Sequence, residues 1–342
     1  MDLAGKNVWQ VAAGDGRRRY EDVCFRYQVM MIGPGERGPF DETAYAGVTA
    51  QNVIRRFYSC PGGGDVVLLR LGTGDVLAVG EVAGDDTLHV EEFGDIDGWR
   101  LQHCRHVRWA EASKPFAPGT FRGRFGQVKQ PEVREWVHGF DYPEELRRKD
   151  LPQLPEDAGR LADQALGALL VQGGMSAQLV GRLLMTIESL RALIEWYKEE
   201  PEGSSRRPSE QETITYLVIP LLFSLGWSEK TVAIEWKNID MALLEESVSG
   251  PPRPSCVVEA KSFGKSVFAA EEQAMNYAAQ QGCDWHIVTD GVRYSCFNKQ
   301  EDEYVLSSYL NIMRLRERYP VYDHRARGHC GGAVDSLLTM AR

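Results

Sequence analysis

Asp240, Glu259 and Lys261 are the residues of this chain whose types and spacing can do chemistry. The runs Ile239-Asp240-Met241-Ala242-Leu243-Leu244 and Cys256-Val257-Val258-Glu259-Ala260-Lys261 read as two strands. Side chains two apart on a strand share a face, so Glu259 and Lys261 point together while Val258 and Ala260 point to the opposite side. Two carboxylates at the ends of neighbouring strands offer hard oxygen ligands for Mg²⁺, with Mn²⁺ as a substitute. An ammonium beside them can orient an attacking water or offset charge building on a phosphate. This is a residue set for metal-assisted phosphodiester hydrolysis, and it needs no nucleophilic side chain.

The elements that must position these residues are legible around them. A helix is expected from Glu210 to Leu225, ending at Gly226. Strands follow at Val232 to Trp236, Ile239 to Leu244 and Cys256 to Ala260, then a helix from Ala269 to Gln281 and a hairpin of Trp285 to Thr289 and Tyr294 to Phe297 across Asp290-Gly291. Upstream, residues 1 to 140 hold short strand runs broken by glycine: Val8 to Ala12, Val29 to Ile32, Val66 to Leu71, Val76 to Val82 and His103 to Trp109. Such a pattern suits a small β-barrel or curled sheet, with Thr73-Gly74-Asp75 as a hairpin turn.

Between these regions, residues 151 to 200 read as a helical connector. Ser176 to Glu199 carries apolar residues at Val180, Leu183, Ile187, Leu190, Ile194 and Tyr197, the spacing of one long amphipathic helix. The same six fit a heptad seam, so the helix is a candidate dimerisation element as well as one that packs on its neighbour. Residues 200 to 209 have the polar, proline- and glycine-containing composition of a linker, which places a boundary before a domain at 209 to 310. A C-terminal extension, 311 to 342, reads as helical with an irregular piece around Pro320 to Gly332.

Composition narrows the function classes. At 342 residues, 43% hydrophobic and 26% charged, the chain has the make-up of a soluble globular protein. It contains no run of apolar residues long enough for a membrane span, and Met1-Asp2-Leu3-Ala4-Gly5-Lys6 lacks a secretory signal, so a cytoplasmic location is expected. Seven scattered cysteines without C-x-x-C suit reduced thiols, and zinc is not expected, although His324, His329 and Cys330 lie close in sequence. The net charge of −10 is uneven: residues 1 to 140 carry 17 Lys/Arg against 19 Asp/Glu, the remainder 22 against 30. That balance favours selective over promiscuous nucleic-acid binding. No G-x-x-x-x-G-K-[ST] is present, so ATP is not expected.

Glu212, Leu221-Leu222-Phe223-Ser224-Leu225-Gly226-Trp227, Asp240, Glu259-Ala260-Lys261 and Gln273-Ala274-Met275-Asn276-Tyr277, taken in order, resemble the N-terminal nuclease domain of type I restriction enzyme R subunits, within the PD-(D/E)xK superfamily. The resemblance covers roughly residues 209 to 300. It implies that Asp240 and Glu259 hold the metal, that Lys261 positions water, that Glu212 approaches the metal from the first helix, and that Gln273 and Tyr277 contact DNA or brace the site. An E-x-K by itself is frequent on solvated strand faces; the ordered co-occurrence gives it weight. Lys237-Asn238-Ile239 before Asp240 depart from the family's usual entry to the aspartate. Glu235, Glu272 and His286 are read as structural, His286 as a satisfied core or edge histidine.

In the first region, Asp65 to Arg70, Ala78 to Val82 and Trp99-Arg100-Leu101-Gln102-His103-Cys104-Arg105-His106-Val107-Arg108-Trp109 resemble an EVE-type domain of the PUA-like superfamily. The resemblance implies a modified base flipped into a pocket. Trp9, Tyr20, Phe25 and Trp99 are the candidate rings, Gly33 the loop glycine beside them, and Arg17, Arg18 and Arg19 the candidate phosphate contacts; Trp109 is assigned to the core. Together these readings describe an α+β protein: a PUA/EVE-like β-barrel, a helical connector and an α/β PD-(D/E)xK restriction-endonuclease-like C-terminal domain. The function expected is a modification-dependent DNA endonuclease of type IV-like restriction, homodimeric, in phage defence. The alternatives are an inactive DNA-binding module and an RNA-directed nuclease.

Overall fold

The computed structural model describes every residue except 16–17, 200–205 and 246–251. Among these, the chain divides by its internal contacts into Met1–Asp157 and Ala158–Arg342. The division thus falls inside residues 151–200, most of which belong to the second unit.

In the first unit the glycine-broken apolar runs become strands β1 (Val8–Ala12), β2 (Val29–Ile32), β3 (Val66–Leu71), β4 (Asp75–Val82), β5 (Leu88–His89), β6 (His103–Pro115) and β7 (Phe125–Gln127). They form one curled half-barrel sheet in the order β2-β6-β4-β3-β1-β7, with β5 on β6. Among the described residues of this sheet, only β1 and β3 run parallel. The 13-residue β6 pairs with β2 through His103–His106 and with β4 through Val107–Pro115, which lets one strand bend the sheet around. Helices α1 (Glu21–Tyr27), α2 (Gln51–Ser59), α3 (Pro131–His138) and α4 (Glu144–Arg148) complete the unit.

The second unit carries α5 (Asp163–Gln172), α6 (Ala177–Glu199), α7 (Glu210–Thr213), a wide helical turn at Ile214–Val218 and α8 (Ile219–Ser224). A sheet follows, built from β8 (Val232–Trp236), β9 (Ile239–Glu245), β10 (Arg253–Ala260), β11 (Trp285–Thr289), β12 (Arg293–Gln300) and β13 (Glu303–Asn311), with α9 (Glu271–Gln281) and α10 (Ala333–Met340). Its order is β13-β12-β11-β10-β9-β8. The pair β10 and β11 is parallel, joined over the sheet by α9. β13 has no counterpart in the sequence reading.

One face of this sheet carries the main core. Met241, Leu243, Cys256, Val258, Ala260 and Ile287 pack there against helix residues that include all six of the α6 seam. Val180, Leu183, Ile187, Leu190, Ile194 and Tyr197 are therefore buried inside their own unit, and the heptad seam is not available to a second copy. The other face packs Ile239 and Val257 against Ala278 of α9 and Cys283. No helix among the described residues is long and apolar enough to cross a membrane.

Candidate active site

Strand alternation puts Glu259 of β10, two residues after Val257, on the α9 face of the sheet. Val257 pairs with Ala242 and Val258 with Met241; the next step of that antiparallel register sets Glu259 opposite Asp240, and directly opposed side chains share a face. Asp240 is anchored where it stands, because its Oδ2 accepts the backbone N–H of Ala260 at 2.8 Å. Glu259 is fully buried, and neither of its carboxyl oxygens has a hydrogen-bond partner among the described residues. Burial and the neighbouring Asp240 carboxylate push the Glu259 carboxyl up to about 8, outweighing the opposite pull of Lys261. Lys261 leaves the strand end with its backbone N–H on the Thr289 carbonyl and its Nζ 4.0 Å from Glu210 Oε2.

The loop after Lys261 is pinned from two directions. From the helix side, Thr213 Oγ1 donates to the Ser209 carbonyl at 2.8 Å and accepts the Phe263 N–H at 3.1 Å. From the sheet side, the buried Asp290 accepts N–H groups of Val292, Arg293 and Gly264, and pairs with the Arg293 guanidinium. Arg293 in turn donates to the Lys265 carbonyl at 3.0 Å. Gly291 sits between these braces with φ +79°, and a Cβ there would meet Leu217 Cβ at 2.7 Å. The Asp290-Gly291 turn thus lets the first helix close onto the hairpin, which fixes where Glu210 stands relative to Lys261.

Glu212 is placed differently from expectation. Its Oε2 accepts both the N–H and the hydroxyl of Ser209, each at 2.8 Å, while Ser209 Oγ accepts the Glu212 N–H at 3.2 Å. This capping box closes the N-terminus of α7 and holds the Glu212 carboxyl below the usual carboxylate range. Glu210, two residues earlier, is the helix acid at Lys261. The pattern Ser209-Glu210-Gln211-Glu212 carries that distinction in the sequence, since S-x-x-E is the capping-box signature.

Of the remaining candidates, Gln273 is exposed on α9, and the half-buried Tyr277 packs with Trp236 and Tyr304 on the small cluster of Ile239, Val257, Ala278 and Cys283. Tyr277 therefore braces helix to sheet. Glu235 is exposed and accepts Gln211 Nε2 at 2.7 Å, and Glu272 is exposed. His286 is a core residue but not a satisfied one: its ring stacks on Phe297 at 4.8 Å, and neither ring nitrogen has a partner among the described residues. Burial holds it down to about 4. His329 contacts Arg318 at 2.9 Å and Asp323 at 3.5 Å, while Cys330 is buried.

In the first unit a cleft of about 610 Å³ is lined by Gly33, Pro34, Trp99, Arg18, Arg100 and Arg124, among others. Gly33 is required by close approach, since a Cβ there would fall 1.5 Å from the Arg100 carbonyl oxygen. Trp9 lies in the core instead, stacked on Phe125 at 5.4 Å with its Nε1–H on Asp65 Oδ2 at 2.8 Å. Tyr20 is also buried; its hydroxyl donates to the Ala12 carbonyl at 2.6 Å and its ring tilts against Trp99 at 5.4 Å. Phe25 is half-buried on α1 and does not line the cleft. Arg19 is engaged with Glu21, and Arg17 lies outside the described residues. Trp109 is core, as expected, donating to the Val29 carbonyl at 3.1 Å. Arg100 and Arg124 were not foreseen; the tracts Trp99-Arg100 and Arg122-Gly123-Arg124 carry their only sequence signal.

No protein-family model, no curated protein and no solved structure matches this chain.

Proposed function

We propose that the second unit is a magnesium-dependent endodeoxyribonuclease of the PD-(D/E)xK kind and that the first unit selects DNA bearing a modified base. The observation that carries this reading is the cross-strand pair Asp240 and Glu259, with Lys261 two residues on and both Glu259 oxygens lacking a partner among the described residues.

Whether these residues suit a divalent cation turns on the pair of buried Glu259 and half-buried Asp240. No group of three or more His, Cys, Asp or Glu side chains among the described residues is placed to hold a metal. Mg²⁺, however, commonly takes one or two carboxylates and keeps several waters. Two adjacent carboxyls, Asp240 half-buried and Glu259 buried with no hydrogen-bond partner for its oxygens among the described residues, fit such an ion. Asp240 and Glu259 would hold it, and Mn²⁺ would substitute. When bound, it would supply Lewis-acid polarisation of the phosphate and acidify a bound water.

The protein's own contributions follow from the geometry. The Ala260 N–H fixes one Asp240 oxygen and so orients the carboxylate. Glu259 must give up its proton to act as an anion, which its burial resists near neutral pH. Lys261, steadied by Glu210, offers an ammonium to charge developing on the phosphate. Cutting both strands takes two such sites, hence two copies of the chain. A role in defence against phage is the setting in which such an activity makes sense.

The test is digestion, in Mg²⁺, of phage genomes carrying methylated, hydroxymethylated or glucosylated cytosine beside unmodified DNA and structured RNA. Cleavage confined to modified DNA is expected, and lost in Glu259→Ala. Cleavage of RNA alone, or DNA binding and cellular protection unchanged in Glu259→Ala, overturns the reading.

A further inference from the structure

Trp99 is held in place by its surroundings. Its backbone exchanges hydrogen bonds with Ile96 at 2.8 and 2.9 Å, and its ring leans on the buried Tyr20. The exposed Arg124 lays its guanidinium over the indole, 5.3 Å from the ring centroid. Around that ring the cleft presents Arg18, Arg100 and Arg124, and its described lining contains no carboxylate. Three arginines line this one cleft in a chain of net charge −10. Arg100 meets Glu36 from outside the lining, so their charge is partly offset there.

A guanidinium over an indole marks a surface where a flat, electron-poor ring stacks. An exposed contact of that type is weaker than base stacking on an aromatic side chain, so a base can take the guanidinium's place. Once released, the planar fork of arginine matches a phosphate through paired hydrogen bonds. The cleft volume of about 610 Å³ leaves room for a sugar and phosphate beside the ring. We propose that this cleft binds a whole nucleotide, in which the base displaces Arg124 from Trp99 and Arg124, together with Arg100, closes on the phosphate. Arg124 is then a displaceable cover in the empty cleft and a phosphate clamp in the filled one. The same chemistry is offered by a free nucleotide and by one flipped out of a strand.

This deepens the reading of the first unit as a reader of bases, and its test is binding without divalent metal, so it stands or falls separately from cleavage. Calorimetry on the full chain would compare 5′-mononucleotides, including those of 5-methyl- and 5-hydroxymethylcytosine, with the matching nucleosides. A further arm uses a duplex with one modified cytosine opposite an abasic site. At least one phosphate-bearing probe is expected to bind about tenfold or more tightly than its nucleoside or an unmodified, fully paired duplex, a difference typical of charge-assisted phosphate contacts. Binding of mononucleotides names the free ligand as the source; binding of the duplex alone names the flipped one. Arg124→Ala should weaken the phosphate preference, leaving only the share that Arg100 supplies, while nucleoside binding stays equal or grows stronger because the indole is uncovered. Trp99→Ala should lose both, and Trp99→Phe should keep a weaker form of each. The proposal is overturned if no probe binds, if Trp99→Ala binds as well as the unaltered chain, or if the phosphate preference is undiminished in Arg124→Ala.

Discussion

Asp240 stands across the β9–β10 pair from Glu259, whose carboxyl is raised first by its own burial and then by the Asp240 carboxylate beside it. This relationship makes the site sensitive to both protons and cations, and the first two predictions follow from it.

The Glu259 carboxyl sits at about 8 in the folded chain, far above its ordinary value of 4.5. A raised carboxyl leaves its stability in full below the unfolded value and loses it as pH rises through the folded one. Without metal, the second unit should therefore weaken between pH 4.5 and 8 by on the order of 1 kcal/mol per pH unit, and level off above that range. Glu259→Gln should flatten that decline. Urea denaturation across this range measures it, and an equal decline in both proteins would refute the assignment.

A divalent cation should bind the deprotonated pair and so stabilise the chain more at pH 8.5 than at pH 6. Mn²⁺ titration followed by electron paramagnetic resonance should find a bound ion that disappears in Asp240→Asn and in Glu259→Gln. Retention of that ion in both variants would place it elsewhere.

Glu210 and Glu212 should behave in opposite ways. The Glu210–Lys261 contact is 4.0 Å long and partly exposed, a pair worth up to about 1 kcal/mol. Glu210→Gln should accordingly slow cleavage by about two- to fivefold and lower the melting temperature by no more than a few degrees. Glu212→Ala removes the side-chain half of the capping box, leaves Ser209 on the residue-212 N–H, and should lower stability slightly, whereas Glu212→Gln keeps the capping box and should cleave normally. Loss of activity in Glu212→Gln with full activity in Glu210→Gln would reverse the two roles.

Two buried histidines set the acid limit. Burial, with His89 nearby, holds His103 down to about 4 between the hydroxyls of Tyr45 and Tyr58, and burial alone holds His286 there. Their contribution is complete above pH 6.5 and is lost as pH falls from 6.5 toward 4, while the unfolded chain takes up the protons. His286→Phe, which keeps a ring to stack on Phe297, should remove about 1 kcal/mol per pH unit of that loss from the second unit. An unchanged acid transition would show that His286 carries no such load.

Periodicity made much of this readable beforehand. The spacing of Val180, Leu183, Ile187, Leu190, Ile194 and Tyr197 marks one buried stripe, and all six are buried; the same spacing does not say whether the covering surface is the chain's own core or another copy. Alternation on Val258-Glu259-Ala260-Lys261 likewise fixes which residues share a face. What alternation leaves open is a choice between neighbours of one chemical type. Glu210 and Glu212 are separated by a cap, and Trp9 and Trp99 by whether Asp65 or an open cleft lies in front of the ring. Those distinctions arise from distant residues brought together by folding. β13, missed entirely, completes a sheet edge whose need for a partner strand is a property of the assembled sheet.

The most direct measurement is single-turnover cleavage of modified plasmid DNA in Mg²⁺ by the unaltered chain, Asp240→Asn, Glu259→Gln and Lys261→Ala, with DNA binding followed in parallel. The account predicts cleavage by the unaltered chain and none by the three variants, which should still bind the plasmid. Cleavage that persists in Asp240→Asn and Glu259→Gln would contradict it, as would a chain that binds modified DNA in Mg²⁺ or Mn²⁺ and never cuts it.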